Sequence, residues 1–368
     1  MYVGILVVLI VCAIVEEHLI DEKVKKYLFT SVFLILTFML ALRYGQGTDY
    51  EGYRQNYYGI DHHSEVGYRI LAHTLRDIGI PFEIFIFIIA VFQMFCIYRA
   101  IMIHSPYKCM SLAILYPTIY LTYFYSAIRQ GILIAFFLGF MVGWLQEAQY
   151  KKLFFAILVL SLFHWTALLL IPMLFIHKIS HRTLYFLLGV AIVGGILLYM
   201  IPSEFFVSFG IFNLTYYTQN KAVSYLGCAE RIFFFALITV LYYKLVPDKD
   251  TSDITAWYKL YLYGFALSMA AVAWGTISSR LGAVPKSLEV LLLPYFMKEC
   301  DDRKRKILKL SILFYIIIMT CKNINSYIVQ GMQYYYDCNI FTYPYISVFQ
   351  RDFFAIQPFE EFKNMILY

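Results

Sequence analysis

Apolar runs long enough to cross a bilayer recur from one end of this chain to the other, and they limit what it can fold into. Eleven such runs lie at about 1–16, 26–42, 81–103, 108–125, 127–146, 151–177, 183–201, 229–246, 256–278, 280–297 and 307–321. A membrane-spanning helix needs about 20 predominantly apolar residues, and its backbone groups must be satisfied internally. Only 15% of the 368 residues are charged, against roughly 25% in soluble domains, and the mean hydropathy is +0.67. The expected fold is all-α, a polytopic transmembrane bundle of about 11–12 passes. It forms a single integral membrane domain over residues 1–368 with no separable soluble part. Met1–Val15 has no basic leader and runs into Glu16-Glu17 without a small-residue cleavage pattern, so it reads as a retained helix rather than a signal peptide. Seven scattered cysteines with no C-x-x-C pair point to neither a zinc site nor a disulfide framework. The net charge of +6 belongs to loops and implies no nucleic-acid partner.

Basic residues in short loops mark the cytoplasmic side. Three lysines between Asp21 and Lys26 put the polar stretch after the second run outside; Lys151-Lys152, the Lys178/His181/Arg182 corner and the Lys298–Lys309 run are further inside markers. One apolar run separates Lys151-Lys152 from Lys178, and a single crossing cannot leave both ends on one side. Two short helices, about 151–163 and 164–177, that dip in and return resolve the parity and place His164 at the turn. With this topology the inside set holds 14 Lys and 4 Arg and the outside set 8 Arg and 4 Lys. Lysine suffices for orientation, whereas arginine's planar fork grips phosphate or carboxylate. The outer face therefore resembles a surface for an oxygen-rich anion, unless these arginines simply pair with outer Asp and Glu.

The outer polar stretch, 43–80, carries most of the candidate chemistry. Arg43 opens it at the membrane boundary. Gly45-Gln46-Gly47-Thr48 forms a turn that lets backbone approach a ligand, and Asp49 follows as either a helix N-cap or a site carboxylate. Tyr50, Tyr53 and Tyr57 make a helical stripe, suited to stacking on sugar rings or to the interfacial aromatic belt. Glu65, Arg69, His73 and Arg76 share one face of an amphipathic helix whose other face, with Val66, Ile70 and Ile78, suits the membrane interface. Glu65 either pairs with Arg69 one turn on or accepts a proton from a hydroxyl. Arg129, with Gln130 beside it, opens an apolar helix and should face the bundle interior. Arg280 sits between two apolar runs on the outer side. Arg129 and Arg280 are the candidates for holding a diphosphate, and His164 is a general base, a hydrogen-bond donor to phosphate, or a satisfied structural histidine. No dense carboxylate cluster marks an outer metal site; a divalent metal could instead replace one arginine in neutralising phosphate charge.

The succession RYGQGTDYEGY (43–53), SEVGY (64–68), AIRQGI (127–132), FHWTALLLIP (163–172), SRL (279–281) and LLP (292–294) resembles the EpsG/Wzy-type polysaccharide polymerases. The likeness spans roughly residues 40–300, in order; the rest, 325–368, is expected as an outer, interface-hugging tail. The resemblance implies a membrane glycosyltransferase similar to the GT-C enzymes, working at the outer face of the bacterial plasma membrane and facing periplasm or cell exterior. No cofactor is expected, a divalent metal remaining the alternative. Its substrates would be undecaprenyl-diphosphate-linked oligosaccharide repeat units, polymerised into capsule, exopolysaccharide or O-antigen, with membrane lipid around it and a chain-length regulator as a candidate partner. In that reaction Glu65, His164 or Asp49 orients or deprotonates the acceptor hydroxyl, and Arg129, Arg280 and Arg43 bind the departing diphosphate. Gln130, Tyr50, Tyr53 and Arg69 complete the substrate-binding set. Two other classes remain: another lipid-carrier glycosyltransferase or ligase, and a lipid-linked glycan transporter. No internal repeat of the kind transporters carry is visible.

Overall fold

The computed structural model describes residues 1–59, 65–202, 223–246, 253–331 and 338–350. The protein is helical throughout these residues, and no strand occurs among them, only an isolated bridge between Arg43 and Ser347. Six described helices are long and apolar enough to cross a membrane: Glu22–Ala41, Phe82–His104, Ile128–Gln146, His181–Met200, Tyr225–Leu245 and Asp302–Val329. This is the polytopic helical fold that the apolar runs demand.

Several of the eleven runs are realised as broken pieces. The run at 108–125 is an α-helix, Lys108–Leu115, that widens into a π-helix over Tyr116–Phe124 with Pro117 in its first turn. Proline has no N–H to donate and clashes with the preceding turn. The runs at 256–278 and 280–297 become Asp253–Ala270, Gly275–Leu281, Ala283–Lys286 and Glu289–Glu299, broken around Gly282 and Pro285. The run at 151–177 forms an α-helix, Tyr150–Ser161, and a 3₁₀ helix, Trp165–Phe175, packed on each other with His164 at the turn. This is the short-helix pair expected from the charge parity.

The chain divides into two compact units, Met1–Ala135 with Asp302–Tyr368, and Phe136–Asp301. In the first, α1 (Tyr2–His18) packs on α6 (Lys108–Leu115), α2 (Glu22–Ala41) on α5 (Phe82–His104), and the Asp302–Gly331 helix on the π-helix. Asp21 starts α2, its carboxylate accepting from the Lys23 amide at 2.7 Å. Between α2 and α5 lie two short polar helices, α3 (Tyr50–Tyr57) and α4 (Val66–Asp77), packed on each other. Val66 and Ile70 of α4 and Ile78 just after it are exposed, whereas Tyr68 and Ala72 are buried. In the second unit His181–Met200 packs along Asp253–Ala270, and Gly275–Leu281 lies against the 3₁₀ helix. The first residues of the expected tail belong to the Asp302–Gly331 helix. Residues 338–350 fold back onto the start of the polar stretch: the Tyr44 amide donates to Ile346 at 2.9 Å, and the Val348 amide to Leu42 at 2.8 Å. Residues 351–368 lie outside the described residues.

Candidate functional site

Widening a helix from α to π frees carbonyls from their usual partners, and buried carbonyls need donors. The π-helix Tyr116–Phe124 finds them in side chains. Asn323 donates to Pro117 at 2.6 Å, and the Tyr327 hydroxyl to Leu121. At the C-terminal end the Arg43 guanidinium donates to Phe124 at 3.0 Å and to Tyr125, just beyond it, at 3.5 Å. The same group donates to Leu40 at 2.7 Å and to Gln46 at 3.3 Å, and it lies 4.9 Å from the Tyr125 ring centroid. A cation at a helix C-terminus compensates the negative end of the helix dipole. Arg43 is 2% exposed, so this fork is spent on the protein's own backbone. The Gly45–Thr48 turn is likewise used internally. Gly47 has φ +109°, and a Cβ there would lie 2.0 Å from the Tyr125 carbonyl oxygen. The Thr48 amide then accepts a place against Ser126, donating to its hydroxyl at 3.1 Å. The close approach read from the glycines is made to Tyr125.

This anchored turn delivers α3. Asp49 stands at the N-cap position but its carboxylate caps nothing; it accepts from the Thr48 hydroxyl at 3.0 Å. The tyrosine stripe turns inward. Tyr50 is 1% exposed, its ring covered by Tyr44 and Phe82, and Tyr57 packs on Phe82 and Phe85 while donating to the Ile80 carbonyl at 2.6 Å. Tyr53 packs on Tyr68 of α4 with centroids 5.6 Å apart. Glu65, at the N-cap of α4, makes no side-chain cap bond. Its carboxylate crosses instead to the Arg129 guanidinium. Local spacing offered Arg69 as its partner, and the ion pair goes to a residue 64 positions away.

Arg129 lies in the first turn of α7 (Ile128–Phe136). Its guanidinium carbon is 5.7 Å from the Tyr53 ring centroid and 5.8 Å from that of Tyr68, and the Tyr53 hydroxyl accepts from its backbone amide at 3.5 Å. Arg129 and Glu65 remain 26% and 21% exposed, so the pair is half-buried and still reachable. Burial raises the Tyr53 hydroxyl above its ordinary pKa of 10.0, with Arg129 opposing that shift and Asp49 adding to it. Asp49, Tyr53, Glu65, Tyr68 and Arg129 therefore form one neighbourhood in the first unit. Arg69, on the turn after Glu65, is half-buried, and Gln130 is fully buried behind Arg129. Gly131 has Gln93 and Tyr123 so close that a Cβ would come within 2.7 and 2.9 Å of them. This close packing accounts for the glycine after Arg-Gln.

His164 and Arg280 belong to the second unit. His164 caps the 3₁₀ helix: Nδ1 accepts from the Thr166 amide at 3.3 Å and lies 2.8 Å from the Thr166 hydroxyl. With Nδ1 accepting, a neutral ring carries its proton on Nε2. Arg280 is half-buried near the end of the Gly275–Leu281 helix, the helix that lies against the 3₁₀ segment. No three His, Cys, Asp or Glu side chains are grouped so as to hold a metal ion among the described residues.

Sequence reasoning missed three residues of the first unit, one in this neighbourhood and two beneath the glycine turn that leads to it. Tyr68 closes the second face over Arg129, and Tyr125 and Ser126 receive the glycine turn. Tyr68 stands within SEVGY one helical turn after Glu65, a spacing that carried the signal.

Helices of this length and apolarity, with a half-buried ion pair held by short polar helices, define a polytopic membrane protein. The EpsG family model matches residues 26–347. The chain belongs to the EpsG family, the Wzy-type polymerase family, and its function is of the polysaccharide-polymerase type. No curated protein and no solved structure matches it.

Proposed function

We propose that the protein joins undecaprenyl-diphosphate-linked oligosaccharide repeat units, transferring the growing glycan from its lipid diphosphate to an acceptor sugar hydroxyl. The observation that carries this reading is the Glu65–Arg129 pair, half-buried between Tyr53 and Tyr68, in a chain of this family. A guanidinium held this way is a ready partner for an incoming phosphate, because both anions use the same planar fork. The lipid diphosphate displaces Glu65 from Arg129, and the released carboxylate becomes the proton acceptor. The acceptor oxygen then attacks the anomeric carbon as the bond to the diphosphate breaks. The hydroxyl proton passes to Glu65, and the electron pair leaves with the lipid diphosphate. Asp49, Arg69 and Gln130 orient the sugars, and Arg280 and His164 are the second unit's candidates for phosphate. Arg43 and Tyr50 act at one remove, holding the turn and α3. The site faces the periplasm or exterior of a bacterial plasma membrane, with α4 lying in the interface. Extension should persist in a chelator, and its abolition would bring a divalent metal into the reading.

The deciding experiment is in vitro extension of a defined lipid-linked repeat unit by purified protein. Arg129→Ala and Arg280→Ala should each reduce chain extension at least 100-fold, on the order of the loss of one transition-state donor. Full extension by both variants would refute the diphosphate assignment. Glu65→Gln should lower extension while leaving lipid-diphosphate binding intact or tighter, because the competing carboxylate is gone. Glycan moved once to a different acceptor, with no ladder of lengths, would identify a ligase, and extension by the purified protein alone would dismiss a transporter.

A further inference from the structure

The second unit carries an apolar groove that the proposed reaction does not use. It encloses about 430 Å³ between the Phe137–Met141 and Val142–Gln146 segments and the short Tyr150–Ser161 helix. Phe136, Trp144, Phe155 and Val159 form its walls, and Lys151 and Lys152 stand exposed at its mouth. The Lys152 ammonium lies 5.9 Å from the Trp144 ring centroid, within cation–π range. Neither lysine has an ion pair among the described residues. The neighbouring acid, Glu147, accepts instead from the Gln149 side-chain amide.

We propose that this groove binds an anionic glycerophospholipid, one acyl chain lying along Phe155 and Val159 and the phosphate between Lys151 and Lys152. Two uncompensated ammonium groups above a wholly apolar wall complement that molecule in both parts. The Tyr150–Ser161 helix has 12 residues, about 18 Å of rise, against roughly 30 Å of hydrocarbon. A chain lying alongside covers the exposed apolar face of Phe155 and Val159 on this helix. The cavity is small-molecule sized, enough for part of one acyl chain and far too small for a long polyprenyl tail. Its charged mouth is also at the end of this helix away from His164, so the lipid is a structural partner and not the glycan donor.

The test uses purified, delipidated full-length protein, with thermal unfolding and native mass spectrometry after adding phosphatidylglycerol, phosphatidylcholine or polyprenyl monophosphate. Phosphatidylglycerol should stay bound and raise Tm by a few degrees, as expected for a ligand of the folded state, and phosphatidylcholine should not. Lys151→Gln/Lys152→Gln should abolish the difference without changing Tm in phosphatidylcholine. Val159→Trp, which fills the groove, should lose the bound lipid. Equal shifts from the two glycerophospholipids, an unchanged preference in the double glutamine variant, or displacement of phosphatidylglycerol by polyprenyl monophosphate would each overturn the proposal. Because the readout is binding, its outcome is separate from whether the protein polymerises glycan.

Discussion

Replacing Arg43 by methionine separates a residue that holds the site from one that touches substrate. The side chain is almost fully buried and its donors reach four backbone carbonyls. Two of those bonds, at 2.7 and 3.0 Å, are short enough to count fully; the two at 3.3 and 3.5 Å contribute less. A hydrogen bond to a charged group contributes about 1.5–3 kcal/mol, and leaving a buried partner unmatched carries a similar penalty. Methionine keeps the length and removes every donor, so the expected loss is about 3–5 kcal/mol. At about 2.1 cal/mol/K of unfolding entropy per residue, a chain of 368 residues moves by roughly 1–1.5 °C per kcal/mol, which gives a drop of about 4–7 °C. Lysine retains the charge but concentrates its donors at one point, so it should fall between wild type and Arg43→Met. Thermal unfolding in detergent followed by near-UV circular dichroism reads the loss, with glycan extension assayed well below the variant's midpoint. A folded Arg43→Met protein should keep much of its extension rate. If its Tm stays within a degree or so of wild type while extension disappears, Arg43 contacts substrate and the argument from burial fails.

Gly47→Ala should destabilise by about 2–5 kcal/mol, because it combines a strained left-handed backbone with overlap on the Tyr125 carbonyl; chemical denaturation measures it. His164→Asn retains a good cap and His164→Ala does not, so the alanine variant alone should lose about 1 kcal/mol, whereas both should lose extension if the ring acts in chemistry. Burial holds the Glu51 carboxyl above its ordinary value of 4.5, with Arg54 opposing. The folded state therefore binds a proton more readily than the unfolded state, and Glu51 costs stability as pH rises through that window. Glu51→Gln should accordingly raise Tm slightly at neutral pH and flatten its fall between pH 4.5 and the raised value, and a pH series of melts checks this.

The amino-acid sequence determined the class of this protein, because hydrocarbon tolerates only internally satisfied backbone, and apolar runs of the needed length are plain to read. Charge parity around Lys151 and Lys178 also fixed the paired short helices with His164 at their turn. Side-chain partners were a different matter. Helical spacing shows which residues share a face, so it suggested Arg69 for Glu65 and a sugar-stacking stripe at Tyr50. The packing of α3, α4 and α7 decided otherwise, bringing Arg129 to Glu65 and covering Tyr50 with Tyr44 and Phe82. Arg43 reads from sequence as an outer cation open to phosphate. Only the tertiary structure shows the π-helix end and the returning 338–350 segment closing over it. Long polar side chains reach whatever folding brings near, and burial then decides whether they serve the backbone or a ligand.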